Sequence, residues 1–388
     1  KQLFQNPFQL FMLILKKCPL KMKQLAKQYP SRWIKANKTM INNKIKQILS
    51  FFFFLIFRLN KFLYDCNLKK TVSFSSFIVS VGNLSLGGSG KTPMVELLAS
   101  RLSSINKKPV IISRGYGRSS SSNRVVTSGT GPLVSVQKAG DEPFMLAMNL
   151  KNIPIIVGEK IKSISMAVNQ FQPETIILDD SFQSHSIKKN LDILLIDLSI
   201  SSKKYKMFPW GYLREPINEV NRADIVVFTK SGSNIKNDKK IKHMISGCLT
   251  NKKTLFFDAT YVFSLRRHVK NQNTFIPYNK KITEPVVAFC GIANPLLFKK
   301  EARLSCSNQV HFIGFPDHCK YRAKHINKIN NLLRKNNISH IITTKKDFFK
   351  IQKAFSNYQV FIIDLKHKIK NEPNFFAFVE DQINQYYS

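Results

Sequence analysis

Phe77-Ile78-Val79-Ser80-Val81-Gly82-Asn83-Leu84-Ser85-Leu86-Gly87-Gly88-Ser89-Gly90-Lys91-Thr92-Pro93 is the stretch that decides the fold. Its first five residues are short, apolar and β-branched, the composition of a parallel strand buried on both faces. Beyond it Met94, Val95, Leu97, Leu98 and Leu102 recur at helical spacing to about Ser103. A glycine-rich turn between strand and helix is the frame of a phosphate-binding loop. Gly87, Gly88 and Gly90 let the backbone turn tightly and aim its N–H groups at phosphate oxygens, with Ser85, Leu86 and Ser89 completing the cradle. Lys91 would reach the β/γ-phosphates and the Thr92 hydroxyl would ligate Mg²⁺. Ser85 stands where the usual pattern has its first glycine. A chance Gly-Lys-Thr in a glycine-rich turn is the competing reading, and the flanking strand and helix weigh against it.

A chain of 388 residues suggests two folded units, or one with additions. Its formal net charge is +38, most of it from Lys in the company of abundant Asn, Ile and Phe. Such a composition follows from an AT-rich genome without selection for a partner, and the charge is spread along the chain, so nucleic acid is not the expected partner. An anionic membrane surface or a phosphorylated substrate suits the charge equally well. Cys18, Cys66, Cys248, Cys290, Cys306 and Cys319 show no Cys-x-x-Cys spacing, which argues against a zinc site or a disulfide framework and for a reducing compartment.

The sequence begins with Lys, which fits a fragment or an over-extended reading frame with Met40 as a natural start. Residues 1–39 form a basic extension holding an apolar patch, Phe8 to Leu15, without a close cleavage site. Residues 40–70 are expected to form an amphipathic helix. The apolar run Ile48 to Phe57 falls well short of the ~20 residues that span a bilayer. On a helical wheel Phe51, Phe52, Leu55, Ile56, Leu59, Phe62 and Leu63 share one face, while Phe53, Phe54 and Phe57 fall outside it. Flanking Lys44, Lys46, Lys69 and Lys70 favour a helix lying in a membrane interface over one packed on the protein core.

From residue 76 onward strands and helical segments alternate. Strands are expected at Phe77–Val81, Pro109–Ser113, Ile153–Val157, Thr175–Leu178, Ile193–Ile196 and Ile225–Thr229, with helices near 91–104, 141–150 and 160–170. That alternation predicts a parallel α/β sheet flanked by helices. Ser119–Gly131 reads as a loop or hairpin, and 230–250 as a Lys-rich surface helix. Ala259–Leu265 reads as a strand running into turn-rich, basic 266–284. Strands at Val286–Cys290, Val310–Gly314, Ile338–Thr343 and Val360–Asp364 then make a second, smaller α/β lobe. The expected division is a core over 71–265 and a C-terminal lobe over 266–388.

Ile176-Ile177-Leu178-Asp179-Asp180 is an apolar strand ending in two carboxylates, where a phosphate-loop enzyme places the acid that holds Mg²⁺; a solvated turn is the alternative. Gln183 and His185 follow and would overhang the same pocket. Asp141, in Gly140-Asp141-Glu142-Pro143, starts a helix and is either its N-cap or a general base for an attacking hydroxyl. His318, in Phe315-Pro316-Asp317-His318, is either structural or a tuner of such a base. Arg114 and Arg214, both in loops, would clamp phosphate or make ordinary salt bridges.

Taken together these segments resemble the tetraacyldisaccharide 4′-kinase family over about residues 45–350. The resemblance rests on Val81-Gly82-Asn83-Leu84 with Gly87–Pro93, Ser113-Arg114-Gly115-Tyr116-Gly117, Gly140-Asp141-Glu142-Pro143, Leu178-Asp179-Asp180 with Phe182-Gln183, and Leu191-Asp192-Ile193. Leu213-Arg214-Glu215-Pro216, Arg222-Ala223-Asp224, Gly291-Ile292, Phe315-Pro316-Asp317-His318 and Thr343-Thr344 with Lys346-Asp347 continue it in the same order. It implies a P-loop NTPase-like kinase core anchored at the cytoplasmic face of a Gram-negative inner membrane, with a smaller lobe closing over the nucleotide. The implied reaction takes ATP and Mg²⁺ and phosphorylates the 4′-hydroxyl of an acylated disaccharide 1-phosphate in lipid A synthesis. It implies Asp141 as base with His318 as partner, Asp179 and Asp180 for Mg²⁺, and Lys91 and Thr92 for phosphates; Arg114, Gln183 and Arg214 are the candidates for contact with the substrate.

The chain departs from the family's habit at Ser181, Ser184, Cys319 and Lys345, where Gly, His, His and Glu are usual. Reduced activity or an altered acyl pattern is one consequence those departures allow. The rival readings are a soluble P-loop kinase of a small metabolite, a nucleic-acid-binding ATPase and an inactive relative. The last is opposed by Lys91, Asp141, Asp180 and His318, all in place.

Overall fold

The structure, a computed structural model, describes residues 31–232, 234–250, 254–270 and 274–388, with side chains from residue 43 onward. The Phe8–Leu15 patch and Cys18 lie outside the described residues. In chain order the elements begin with α1 (Ser31–Asp65), β1 (Phe77–Asn83), α2 (Lys91–Ser104), β2 (Pro109–Ser113), β3 (Arg124–Thr127) and the short α3 (Val136–Ala139). There follow α4 (Asp141–Asn149), β4 (Ile155–Val157), α5 (Lys160–Phe171), β5 (Thr175–Asp179), β6 (Leu191–Asp197), β7 (Ile225–Thr229) and α6 (Ile235–Ser246). The remainder is β8 (Leu255–Val269), β9 (Thr274–Pro277), β10 (Val286–Cys290), α7 (Pro295–Leu304), β11 (Val310–Gly314), α8 (Ala323–Lys335), β12 (His340–Thr344), α9 (Lys345–Ile351), β13 (Gln359–Ile369) and α10 (Glu372–Tyr387). This is the mostly parallel α/β architecture with flanking helices that the alternation predicts.

The chain forms two compact units, and it passes between them inside the glycine loop, at Ser89–Gly90, and inside the acidic pair, at Asp179–Asp180. The first unit holds the described residues of 31–89, 180–259 and 373–388. Here β1 pairs in parallel with β6, β6 with β7, and β7 with the start of β8. Every residue of β1, β6 and β7 is buried, which is why these strands read as continuous apolar runs. Ile241 and Ile245, one helical turn apart on α6, close the core with Leu84, Phe182, Leu194, Val226 and Phe228. Gly82 is required by close approach: a Cβ there would lie 2.5 Å from the Phe182 Cβ.

α1 belongs to this unit and resolves the imperfect wheel. Phe53 (1% exposed) and Phe57 are buried, and the Phe53 ring meets Phe208 at 6.2 Å. Lys61 pairs with Glu219 at 2.7 Å, Tyr64 stacks on His185, and the Ser50 hydroxyl donates to the Met207 carbonyl. Ile48, Phe51, Phe52, Leu55, Leu59 (60%) and Phe62 face outward. The helix therefore has two apolar faces, one docked and one bare. Two of the residues outside the sequence-derived stripe, Phe53 and Phe57, are the docked ones, and Phe54 is half-buried.

The second unit holds residues 90–179 and 260–372. β5, β2 and β4 pair in parallel, and β3 adds antiparallel to β4. A further parallel set runs in the order β11-β10-β12-β13. α2 packs against β2, β5 and β13, and α9 against α4. Phe144 of α4 meets Phe349 of α9 edge-on at 5.5 Å.

Two stretches, one expected as a loop or hairpin and the other as a turn-rich run, are partly strand. Residues 124–127 pair with β4, and basic 266–269 extend β8 into an antiparallel hairpin with β9. Arg266 is held there by the Phe275 carbonyl and Asp364. Tertiary partners of this kind override a polar composition.

Candidate active site

In the second unit the glycine loop ends on Gly90, a left-handed N-cap at φ 89° whose carbonyl accepts the Met94 N–H. A side chain at Gly90 would collide with His367 and Tyr261. The same carbonyl accepts a 2.9 Å bond from His367 Nε2, so that nitrogen carries the proton. Because a peptide group is planar with its N–H opposed to its C=O, fixing the Gly90 carbonyl fixes the direction of the Lys91 amide. Lys91 and Thr92 then open α2, placing their N–H groups at a helix N-terminus suited to anions.

The Thr92 hydroxyl donates to Glu142 Oε2 at 2.9 Å, which ties the start of α2 to the start of α4. Asp141, the neighbouring residue, receives two further elements. His318 Nδ1 lies 3.0 Å from Asp141 Oδ2, and Lys350 Nζ from α9 lies 2.6 Å from the same oxygen. A carboxylate only accepts, so Nδ1–H is the donor; Lys346 Nζ, a donor, faces Nε2 at 3.3 Å. Those roles assign His318 the neutral Nδ1–H tautomer. His318 holds φ 56°, in the left-handed region uncommon for residues other than glycine, and Tyr116 packs on its ring at 5.3 Å. Burial opposes the charge on Asp141. The His318 and Lys350 hydrogen bonds and the charges of Lys350 and Lys346 outweigh it, and hold the carboxyl below the ordinary carboxylate value.

Asp141 is thus the first helical residue of α4 and makes no N-cap bond; Gly140 takes that position at φ 91°. Asp179, buried at the end of β5, accepts the Ser113 hydroxyl at 3.0 Å, and Arg114 lies exposed in the loop that follows.

In the first unit the remaining predicted residues gather at the end of β1. Arg214 holds Asp180 through two nitrogens, at 2.8 and 3.1 Å, and bonds both the side chain and carbonyl of Asn83. Asp180 adopts φ 49° to present its carboxylate. Gln183 Nε2 donates to the Asn83 carbonyl at 2.8 Å. Arg214 and Gln183 are therefore organised around Asn83 and Asp180. The cradle is shaped by outside bonds: Leu86 N donates to the Tyr212 carbonyl, Ser85 bridges Leu213, Lys230 Nζ reaches the Gly88 carbonyl, and the Thr229 hydroxyl reaches the Ser89 carbonyl. Gly87 holds φ 113° and its carbonyl accepts the Ser89 N–H. His185, expected over the same pocket, instead joins Tyr64, Glu215 and Arg222. Ser181 is buried under the Val81 carbonyl, and half-buried Lys345 sits among Glu96, Asp364, Arg266 and Lys366.

Among the described residues no three His, Cys, Asp or Glu side chains gather into a metal cage. The donors present are hard oxygens, the Thr92 hydroxyl on Glu142 and the Asp179 carboxylate. Such a set fits Mg²⁺, which takes one or two protein oxygens and completes its shell with phosphates and water.

Sequence alone does not single out Glu142, Lys350 or His367 as site residues. Glu142 adjoins Asp141, and Lys346 and Lys350 stand one helical turn apart, a spacing that puts both on one face. Nothing local marks His367.

The family described as Tetraacyldisaccharide-1-P 4′-kinase, LpxK, matches residues 43–384. A Tetraacyldisaccharide 4′-kinase of Halothermothrix orenii is 33% identical over 347 residues, covering 86% of this chain and 90% of that protein. One from Desulfotalea psychrophila is 34% identical over 303 residues, covering 76% and 84%. A crystal structure of LpxK from Aquifex aeolicus in complex with ATP superposes with TM-score 0.69 at 26% identity, covering 89% of this chain and 99% of that one. The chain belongs to the tetraacyldisaccharide 4′-kinase family, LpxK, of lipid A synthesis.

Proposed function

We propose that this enzyme transfers the γ-phosphoryl group of ATP to the 4′-hydroxyl of tetraacyldisaccharide 1-phosphate at the cytoplasmic face of a Gram-negative inner membrane. The observation that carries the reading is the convergence, within one unit, of Asp141 held by His318 and Lys350 and of Thr92 held by Glu142. Asp141 takes the acceptor's hydroxyl proton as the new O–P bond forms and the bond to the ADP oxygen breaks. His318 and Lys350 fix the carboxylate in place, and Lys346 holds the imidazole in the tautomer that donates to it. Lys91 and the loop amides from Ser85 to Gly90 neutralise the transferred charge. Mg²⁺, held by Thr92 with Glu142, Asp179 or Asp180, would add charge neutralisation at the phosphates. Arg114, Gln183 and Arg214 are proposed to meet the sugar and its phosphate, Arg214 by way of the Asp180 contact.

The bare stripe of α1 supports a membrane-surface location: six large apolar side chains face outward beside exposed Lys44, Lys46 and Arg58. A core over 71–265 and a smaller lobe over 266–388 belong to the same proposal, which requires no nucleic acid. The test is Asp141→Asn with MgATP and the acylated disaccharide 1-phosphate in detergent. Turnover should fall by roughly 10²–10⁴ with nucleotide affinity nearly kept; a loss confined to ATP binding would move Asp141 to the nucleotide.

A further inference from the structure

Beside α1 lies a loop whose construction the transfer chemistry does not explain. Residues 203–213 fold tightly: Tyr212 N bonds the Lys204 carbonyl, Leu213 N the Lys206 carbonyl, Gly211 N the Met207 carbonyl and Phe208 N the Leu213 carbonyl. Gly211 is needed for this, because a Cβ there would lie 2.2 Å from the Lys206 carbonyl oxygen. Buried Tyr205 pins the base of the loop through its hydroxyl to the Asp197 carbonyl at 2.8 Å. What the rigid loop presents outward is aromatic and basic. Trp210 is 37% exposed and Tyr212 44%, with Lys206 Nζ 3.7 Å from the Trp210 ring centre and Lys204 Nζ over Tyr212. Lys203 is exposed as well.

We propose that this loop is a second membrane-contact element, in which Trp210 and Tyr212 seat at the headgroup level of an anionic bilayer and Lys203, Lys204 and Lys206 meet its phosphates. The inference rests on the membrane reading of α1. Trp and Tyr prefer that depth because their rings carry an apolar body and a polar tip. The loop is continuous with the bare helix: the Ser50 hydroxyl bonds the Met207 carbonyl and Phe53 packs on Phe208. It also bonds the start of the phosphate cradle through the Tyr212 carbonyl and Leu86 N. Membrane contact at Trp210 would therefore set the depth of the cradle's first residues below the headgroups.

The sequence has two tryptophans, Trp33 and Trp210, so Trp33→Phe leaves Trp210 as sole reporter in the full chain. Vesicles of phosphatidylcholine with phosphatidylglycerol should blue-shift its emission, and lipids brominated near the headgroup should quench it more than lipids brominated at the chain ends. Removing Lys204 and Lys206 as Lys204→Ala and Lys206→Ala should weaken vesicle binding about fivefold each. If vesicles bind the chain, and Leu59→Ser with Phe62→Ser abolishes that binding, but Trp210 emission does not change, the loop inference alone is overturned. If vesicles of either charge fail to bind the full chain, the α1 reading falls with it.

Discussion

At Asp141 the balance of burial against bound cations sets the pH behaviour. Its carboxyl is held below the ordinary value of about 4, so the ionised base persists to lower pH than a free carboxylate would. The sign follows: activity owed to this base is full above that value and is lost only as pH falls through the depressed one. Lys350→Met removes a hydrogen bond and a charge, and should move the acid limb of kcat/KM upward; an unmoved limb would separate Lys350 from the base. His318→Ala should reduce kcat less than Asp141→Asn, because it positions the group that takes the proton; an equal loss would make the imidazole the base. His367 acts on the nucleotide side. His367→Phe keeps a ring but loses the donor to the Gly90 carbonyl, and should raise KM for ATP with little effect on KM for the lipid. His367→Gln, which retains an N–H, should restore most of the loss in a steady-state assay. The roles of Lys91, Thr92 and Asp141 are suggested in the sequence because their neighbours share their motif. His367 is silent there because it reaches Gly90 across 277 positions of chain.

α1 separates stability from location within a single helix. Phe53→Ala empties a buried site against Phe208 and should lower unfolding free energy by about 3 kcal/mol or more. Leu59→Ser on the bare face should change it by less than about 0.5 kcal/mol, yet weaken sedimentation with anionic vesicles. Equal effects from the two changes would mean that both faces are docked. The wheel finds most of the bare stripe, Phe51, Phe52, Leu55, Leu59 and Phe62, while Ile56 and Leu63, which it also includes, are half-buried. It cannot say that Phe53 and Phe57 form a second face, since that depends on Phe208 and Met207 in a loop 150 residues away. Strands show the same contrast. β1, β6 and β7, buried on both sides, are legible as apolar runs to within two residues. β3, whose span reads as a loop or hairpin, and residues 266–269 of β8 are less so, because polar residues such as Arg124, Arg266 and Arg267 are taken into the sheet there by neighbouring strands.

For the molecule as a whole, an anionic amphipathic surface, the proposed setting, would suit both the +38 charge and the bare apolar stripe. Salt should therefore weaken vesicle association while leaving the Asp141–His318 contact, half-buried and short, largely intact. Family membership was legible because its motifs keep their order along the chain, while the grouping of those motifs into two units was not. The units are cut at Ser89–Gly90 and Asp179–Asp180, inside the two motifs that a linear reading treats as indivisible. Phosphoryl transfer driven by Asp141 is the central proposal. Mass analysis of the acylated disaccharide 1-phosphate after incubation with MgATP in detergent tests it most directly. One added phosphoryl group with the native chain, and almost none with Asp141→Asn, is the predicted result; an unchanged lipid with the native chain, or equal product from both, would contradict it.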